Sequence, residues 1–123
     1  MTQQEIFDTV LFNLREQGRA SMNGTDCMYR GGNGAKCAVG WLIPDEHYSE
    51  ELEDINVMGE WVQLTLQHAG IEITPSTLSL LSDMQRAHDK VLAHDGVQNW
   101  EARMRGIALD YDLHYTPPET QNA

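Results

Sequence analysis

Apolar residues recur every three or four positions over residues 2–17, where Ile6, Val10 and Leu14 form a stripe with Phe7 and Leu11 beside it. That period marks an amphipathic helix with one face turned to a core. Thr2 and Glu5 have the spacing of a capping box, in which each side chain satisfies an exposed backbone amide. Gly18 is placed to stop the helix. A second helix is predicted over 56–69, with Trp61, Leu64 and His68 on one side and Gly70 as its stop. A third opens at Thr74-Pro75, since proline is favoured at the first helical position. Its stripe is Leu78, Leu81, Met84, His88 and Val91, with Leu80 and Ala87 alongside, and Asp95-Gly96 breaks it near His94. Trp100, Met104, Ile107 and Ala108 predict a fourth helix that begins near Val97 or Asn99, and Tyr111 extends it. Residues 19–26 read as a polar connection, and Ile71-Glu72-Ile73 as a short extended connector.

The stretch Cys27–Tyr48 breaks the helical period. It holds both cysteines and four of the ten glycines. Cys27–Arg30 and Lys36–Ile43 read as short strands around Gly31-Gly32-Asn33-Gly34, because Gly and Asn tolerate the positive φ of tight turns. A turn closing about residues 32–33 would set Cys27 near Cys37. Ala38–Leu42 is equally compatible with a short buried helix, and Pro44 ends either element. Asp45–Asp54 is acidic and begins with a turn or a single helical turn. The expected fold is mainly α (α+β): about four helices with one β-hairpin inserted after the first. A single domain is expected over 1–115 and a flexible tail over 116–123.

Charge changes this picture most. Nineteen acids against eight bases leave a net charge of −11. No Lys or Arg falls between Lys36 and Arg86, an interval that carries nine acids. Such a surface repels nucleic acid and anionic lipid and attracts a basic partner. Asp45, Glu46, Glu50, Glu51, Glu53 and Asp54 are therefore the candidate partner-binding face, directed at a basic protein surface. Solubility alone is the simpler account of the same charge. No apolar run is long enough to cross a membrane, and the opening residues lack a basic segment followed by an apolar one. A cytoplasmic location and no direct contact with nucleic acid are expected.

Three chemistries compete inside the Cys27–Tyr48 block. The glycine-rich turn, flanked by Arg30 and Lys36 with Tyr29 and Trp41 as stacking faces, is a candidate site for a small nucleotide-like anion. It matches neither the phosphate loop of nucleotide hydrolases nor the dinucleotide fingerprint. Cys27, Cys37 and His47, with Asp45 or His68, are conceivable zinc ligands, but the close cysteine pair of structural zinc sites is missing. The simpler reading makes both cysteines small buried hydrophobes. Cys37 with His88, and Lys36 alongside, would suit a cysteine-dependent hydrolase. His88 lies on an apolar stripe, where a core histidine with satisfied nitrogens is the commoner case. No cofactor or metal is assigned, and binding is favoured over catalysis.

The block Cys27-x-Tyr29-Arg30, a glycine-rich turn, then Lys36-Cys37-Ala38-Val39-Gly40-x-Leu42-Ile43-Pro44-Asp45-Glu46-x-Tyr48 resembles one found in small acidic proteins of tailed bacteriophages and prophages that have no assigned activity. The later Leu81–Asp89 segment, ending in His88-Asp89, and Trp100 at the head of the last helix are similar to the pattern that follows in those proteins. The resemblance spans roughly residues 20–110. It implies a phage accessory protein acting by binding in the host cytoplasm. The acidic face would block a host or defence protein, or the hairpin would sequester a small anionic molecule.

Overall fold

A computed structural model describes residues 1–24 and 26–118. The chain is mainly α, with four helices and one small hairpin after the first. The first helix, α1, spans Gln3–Gln17. Its capping box forms as the sequence requires: Glu5 N donates to Thr2 Oγ1 at 3.1 Å, and Thr2 N donates to Glu5 Oε1 at 2.8 Å. Gly18 adopts φ 71° and closes the helix on the Leu14 carbonyl. The predicted stripe of Ile6, Phe7, Val10, Leu11 and Leu14 is fully buried. Each such side chain contributes roughly 1.5–3 kcal/mol on transfer from water.

The hairpin sits earlier than the glycine-rich turn suggested. Strand β1 (Met22–Asn23) pairs antiparallel with β2 (Asp26–Cys27), and Met22 lies opposite Cys27. The strands expected over Cys27–Arg30 and Lys36–Ile43 shrink to one bridge, Arg30 to Lys36. The cause lies after Lys36. The run Ala38–Leu42 has no polar side to alternate with, and it coils into a 3₁₀ turn at Val39–Leu42 that buries Val39 and Leu42. Gly40 lies hard against the neighbouring segment: a Cβ there would stand 2.2 Å from the Tyr29 carbonyl oxygen. Two further 3₁₀ turns, Asp45–His47 and Glu50–Leu52, carry most of the acidic segment and anchor it through buried Leu52.

Helix α2 (Glu60–His68) begins four residues later than its predicted start. Val62 and Leu66 are its buried positions, so the side bearing Trp61, Leu64 and His68 turns away from the core. Helix α3 covers 75–95. It starts behind the Thr74 cap, is α-helical over Pro75–Arg86, widens to a π-helix at Ala87–Leu92, and closes as α over Ala93–Asp95. Helix α4 (Val97–Asp110) buries Trp100, Met104, Ile107 and Ala108 as predicted, and also Glu101. The Glu101 carboxylate accepts two bonds from Arg15, at 2.6 and 2.9 Å, and one from the Tyr115 hydroxyl at 2.7 Å. That cluster joins α1, α4 and the segment after α4. Arg15 also reaches the Thr116 carbonyl at 2.8 Å, so the expected tail begins with an anchored residue; positions 119–123 of it lie outside the described residues.

Gly40→Ala is expected to lower the unfolding midpoint sharply, by several degrees or more, since overpacking against a backbone atom costs about 1–3 kcal/mol or above. Gly32→Ala, whose new Cβ meets nothing within 4 Å, should leave it unchanged. Thermal unfolding followed by circular dichroism compares the two.

Candidate functional site

The acidic segment and the Cys27–Tyr48 block meet through one carboxylate. Glu53 Oε1 accepts from the Tyr29 amide at 2.8 Å. Glu53 Oε2 accepts from the Arg30 amide at 3.1 Å and from the Tyr48 hydroxyl at 2.6 Å. Burial and the bond to Glu53 push the Tyr48 phenol up to about 12, so it stays a donor at neutral pH. Glu53, predicted to face a partner, is thus engaged inside the fold. Tyr29 is buried, with its hydroxyl on the Ile55 carbonyl, and burial raises its phenol as well.

The bridge between Arg30 and Lys36 puts these two cations on one face. The Arg30 guanidinium lies 4.3 Å over the Tyr48 ring and donates to the Ile43 carbonyl at 3.1 Å. The Lys36 ammonium lies 4.8 Å from the Trp41 ring centroid. Both meet the same carboxylate, Asp45, at 2.8 Å and 3.9 Å. The structure therefore gathers Arg30, Lys36 and Trp41 as the sequence suggested. It replaces Tyr29 with Tyr48 as the second ring, and it seats an internal anion on the cations. The glycine-rich turn offers Arg19 its carbonyls: Gly32 O and Asn33 O accept at 3.5 and 3.1 Å.

Glu46, Glu50, Glu51 and Asp54 are different. All four are exposed, on and around the short 3₁₀ turns, and among the described residues none of them makes an ion pair. Glu60, at the start of α2, adds a fifth exposed acid. Three of the chain's large apolar side chains stand beside these acids in sequence and exposed to water: Met58, Trp61 and Leu64. Of the three tryptophans, Trp100 is core and Trp41 half-buried, while Trp61 lies open. The periodicity shows that Trp61 and Leu64 share a side, but it does not say which side of so short a helix faces inward. Val62 and Leu66, four apart, carry that signal.

A cleft of about 180 Å³ opens on the other side of Glu53, lined by Cys27, Tyr29, Cys37, Gln85 and Asp89. At its edge Cys27 Sγ, a His88 nitrogen and an Asp89 oxygen all lie within 4.8 Å of one another. His88 is buried. Its Nε2 accepts from the Ser21 amide at 2.9 Å, which assigns the proton to Nδ1, and Nδ1 donates to Asp89 Oδ1 at 2.7 Å. Gln85 donates to the same oxygen at 2.9 Å, and its own carbonyl accepts from the Val39 amide. Burial alone would raise the Asp89 carboxyl, but the bonds from His88, Gln85 and Cys27 bring it below its ordinary value.

This bonding pattern restricts the chemistry. The one lone pair on the His88 ring is spent on Ser21, so the ring has none to offer a metal ion or a thiol proton. The predicted pairing of Cys37 with His88 as nucleophile and base does not form in this arrangement. Cys37 is buried, its sulfur accepts from the Gly40 amide at 3.3 Å, and burial pushes its thiol well up. The conceivable zinc set is not gathered either: His47 stands next to His68, with ring centroids 6.0 Å apart, while Cys37 lines the cleft. The His88 network is a structural tie between the segment after α1 and helix α3.

Compared with known protein families, curated proteins and solved structures, the chain shows no match.

Because the Asp89 carboxyl is held low in the fold, its contribution to stability is present at neutral pH and lost as pH falls below the ordinary carboxylate range, near 3.8. Urea unfolding at stepped pH should show wild type losing stability over that acid limb. Asp89→Asn should lose less over the same limb while starting from a lower stability at neutral pH.

Proposed function

We propose that this is a small accessory protein of phage origin that acts by binding: its acidic face docks on a basic surface of a host or defence protein and blocks it. The observation that supports this most is the sorting of the acids. Glu53 is used within the fold and Asp45, itself exposed, is paired with Arg30 and Lys36, whereas Glu46, Glu50, Glu51 and Asp54 are exposed and make no ion pair among the described residues, with no Lys or Arg in the sequence between positions 36 and 86. Unpaired surface carboxylates contribute little to stability and repel each other. A basic partner removes that repulsion and gains complementary charge. The resemblance to phage proteins supports the setting, and the host cytoplasm follows from it.

A second reading has one observation in its favour. The Arg30–Lys36 pair with its two rings is a ready cradle for a small anion such as a nucleotide, provided Asp45 yields its place. The internal carboxylate makes this the weaker reading, and the buried thiol of Cys37 leaves the hydrolase without an available nucleophile.

The decisive experiment is affinity capture from host lysate, with mass spectrometry of the bound proteins, repeated as salt is raised. A variant with Glu46, Glu50, Glu51 and Asp54 all changed to Lys, and with Asp45 and Glu53 kept, should fold normally and lose the partner. Undiminished capture by that variant would sink the docking reading. For the anion reading, Asp45→Asn should enlarge the thermal shift given by nucleotides, and Arg30→Ala with Lys36→Ala should erase it.

A further inference from the structure

Among the described residues, three of the six exposed large apolar side chains fall close together in sequence. Met58 is 60% exposed, Trp61 62% and Leu64 46%, all within seven residues at the head of α2. Trp61 and Leu64 are three apart and so share a face of the helix, which Thr65 and His68 continue. His68 at the far end lies against His47, with ring centroids 6.0 Å apart. His47 belongs to the turn Asp45–His47, which also bears Glu46. Through His68 and His47 the side of α2 that bears Trp61 and Leu64 meets the turn that carries Glu46, whereas Met58 lies against Ser82 of α3, in a cleft that Arg86 and Lys90 also line.

Large aromatic and aliphatic groups are left in water at a cost, and the exposure of three together marks an interaction surface. The charge around them decides the occupant. A second copy of this chain would bring acid against acid, at a net charge of −11 on each copy. An anionic bilayer would be repelled in the same way. We infer that Trp61 and Leu64 are the apolar anchor of the acidic face, and that it takes an amphipathic basic segment of the partner, with aliphatic or aromatic side chains on Trp61 and Leu64 and Lys or Arg on the carboxylates. This rests on the docking reading and assigns it an energetic centre. Tryptophan is the residue type most often found to carry binding energy at the middle of an interface, with charges at the rim setting encounter rate and salt dependence.

The test uses two synthetic peptides of equal positive charge. One is amphipathic, with Leu and Lys at helical spacing; the other contains only Lys and Ser. Binding is followed by calorimetry and by tryptophan fluorescence. Wild type should bind the amphipathic peptide more tightly, with a blue shift that Trp61→Phe removes. Trp61→Ala and Leu64→Ser should each weaken that peptide about tenfold or more and leave the Lys–Ser peptide within about twofold. Leu109→Ala, at a 76% exposed leucine on α4, should change neither. Unaltered circular dichroism would confirm that both face variants fold. If both variants bind the amphipathic peptide like wild type, the anchor is wrong; the docking reading survives that result if the four-carboxylate Lys variant loses both peptides. If wild type binds neither peptide, both ideas fall. A blue shift on neutral phosphatidylcholine vesicles without one on peptide, or a dimer that Trp61→Ala dissociates in sedimentation, would reassign the face and overturn the inference.

Discussion

The carboxylate of Glu53 holds the two halves of the non-helical region together. One side chain accepts from two successive backbone amides, Tyr29 and Arg30, and from the Tyr48 hydroxyl. Charge-assisted bonds of this kind are about twice as strong as neutral ones, and each would leave a half-buried donor unsatisfied if it were lost. Once Glu53 is in place, the segment after the hairpin cannot slide. Gly40 comes to rest on the Tyr29 carbonyl, and the Arg30–Lys36 bridge directs both cations toward Asp45. The irregular half of the chain is thus fixed by specific polar contacts together with buried Val39, Leu42, Ile43 and Leu52, while the helices are fixed by buried stripes.

Two carboxylates spent inside the fold give the others their meaning. Asp45 neutralises the nearest bases and Glu53 organises the backbone, so the remaining acids of the segment are left without a structural task. A similar division separates the histidines and cysteines. His88 and Cys37 are consumed by internal bonds to Ser21 and Gly40, which removes them from reactive roles without removing them from the architecture. The π-helical turn at Ala87–Leu92 carries His88 and Asp89, which engage Ser21, Gln85 and Cys27, so the widened part of α3 coincides with a buried polar network.

Much of this was legible in advance. The capping box, the Gly18 stop, the Thr74-Pro75 start and the buried stripes of α1 and α4 stand where local chemistry puts them, because each depends on neighbours within one or two turns; on α3 Leu81, Met84 and His88 are buried as expected, but Leu78 and Val91 are half-buried while Thr77 and Leu92 are buried in their stead. The hairpin was misplaced because its register is set at long range: the close approach of Gly40 to Tyr29 and the reach of Gln85 to Val39 convert the second expected strand into a 3₁₀ turn. The gathering of Arg30, Lys36 and Trp41 is visible in their spacing; Asp45 is on the surface as expected, but its pairing with both cations depends on the turn at Asp45–His47 and is not legible in the sequence. The outward Trp61 was hidden for a related reason. A nine-residue helix can bury either of two stripes, and only the packed fold decides between Val62 with Leu66 and Trp61 with Leu64.

The short 3₁₀ turns that carry the acidic segment have one more physical result. They hold Glu46, Glu50 and Glu51 on closely spaced supports, where none of the three is ion-paired among the described residues and the nearby Arg30 and Lys36 are engaged by Asp45. At physiological salt such a field reaches about 8 Å into solution before it is screened. An approaching molecule is sorted by sign over that distance, before any side chain touches: polyanions are turned aside, and a cationic surface is rotated to present its positive side. A cationic partner of the kind proposed would make contact already oriented, and its rate of meeting would depend on ionic strength.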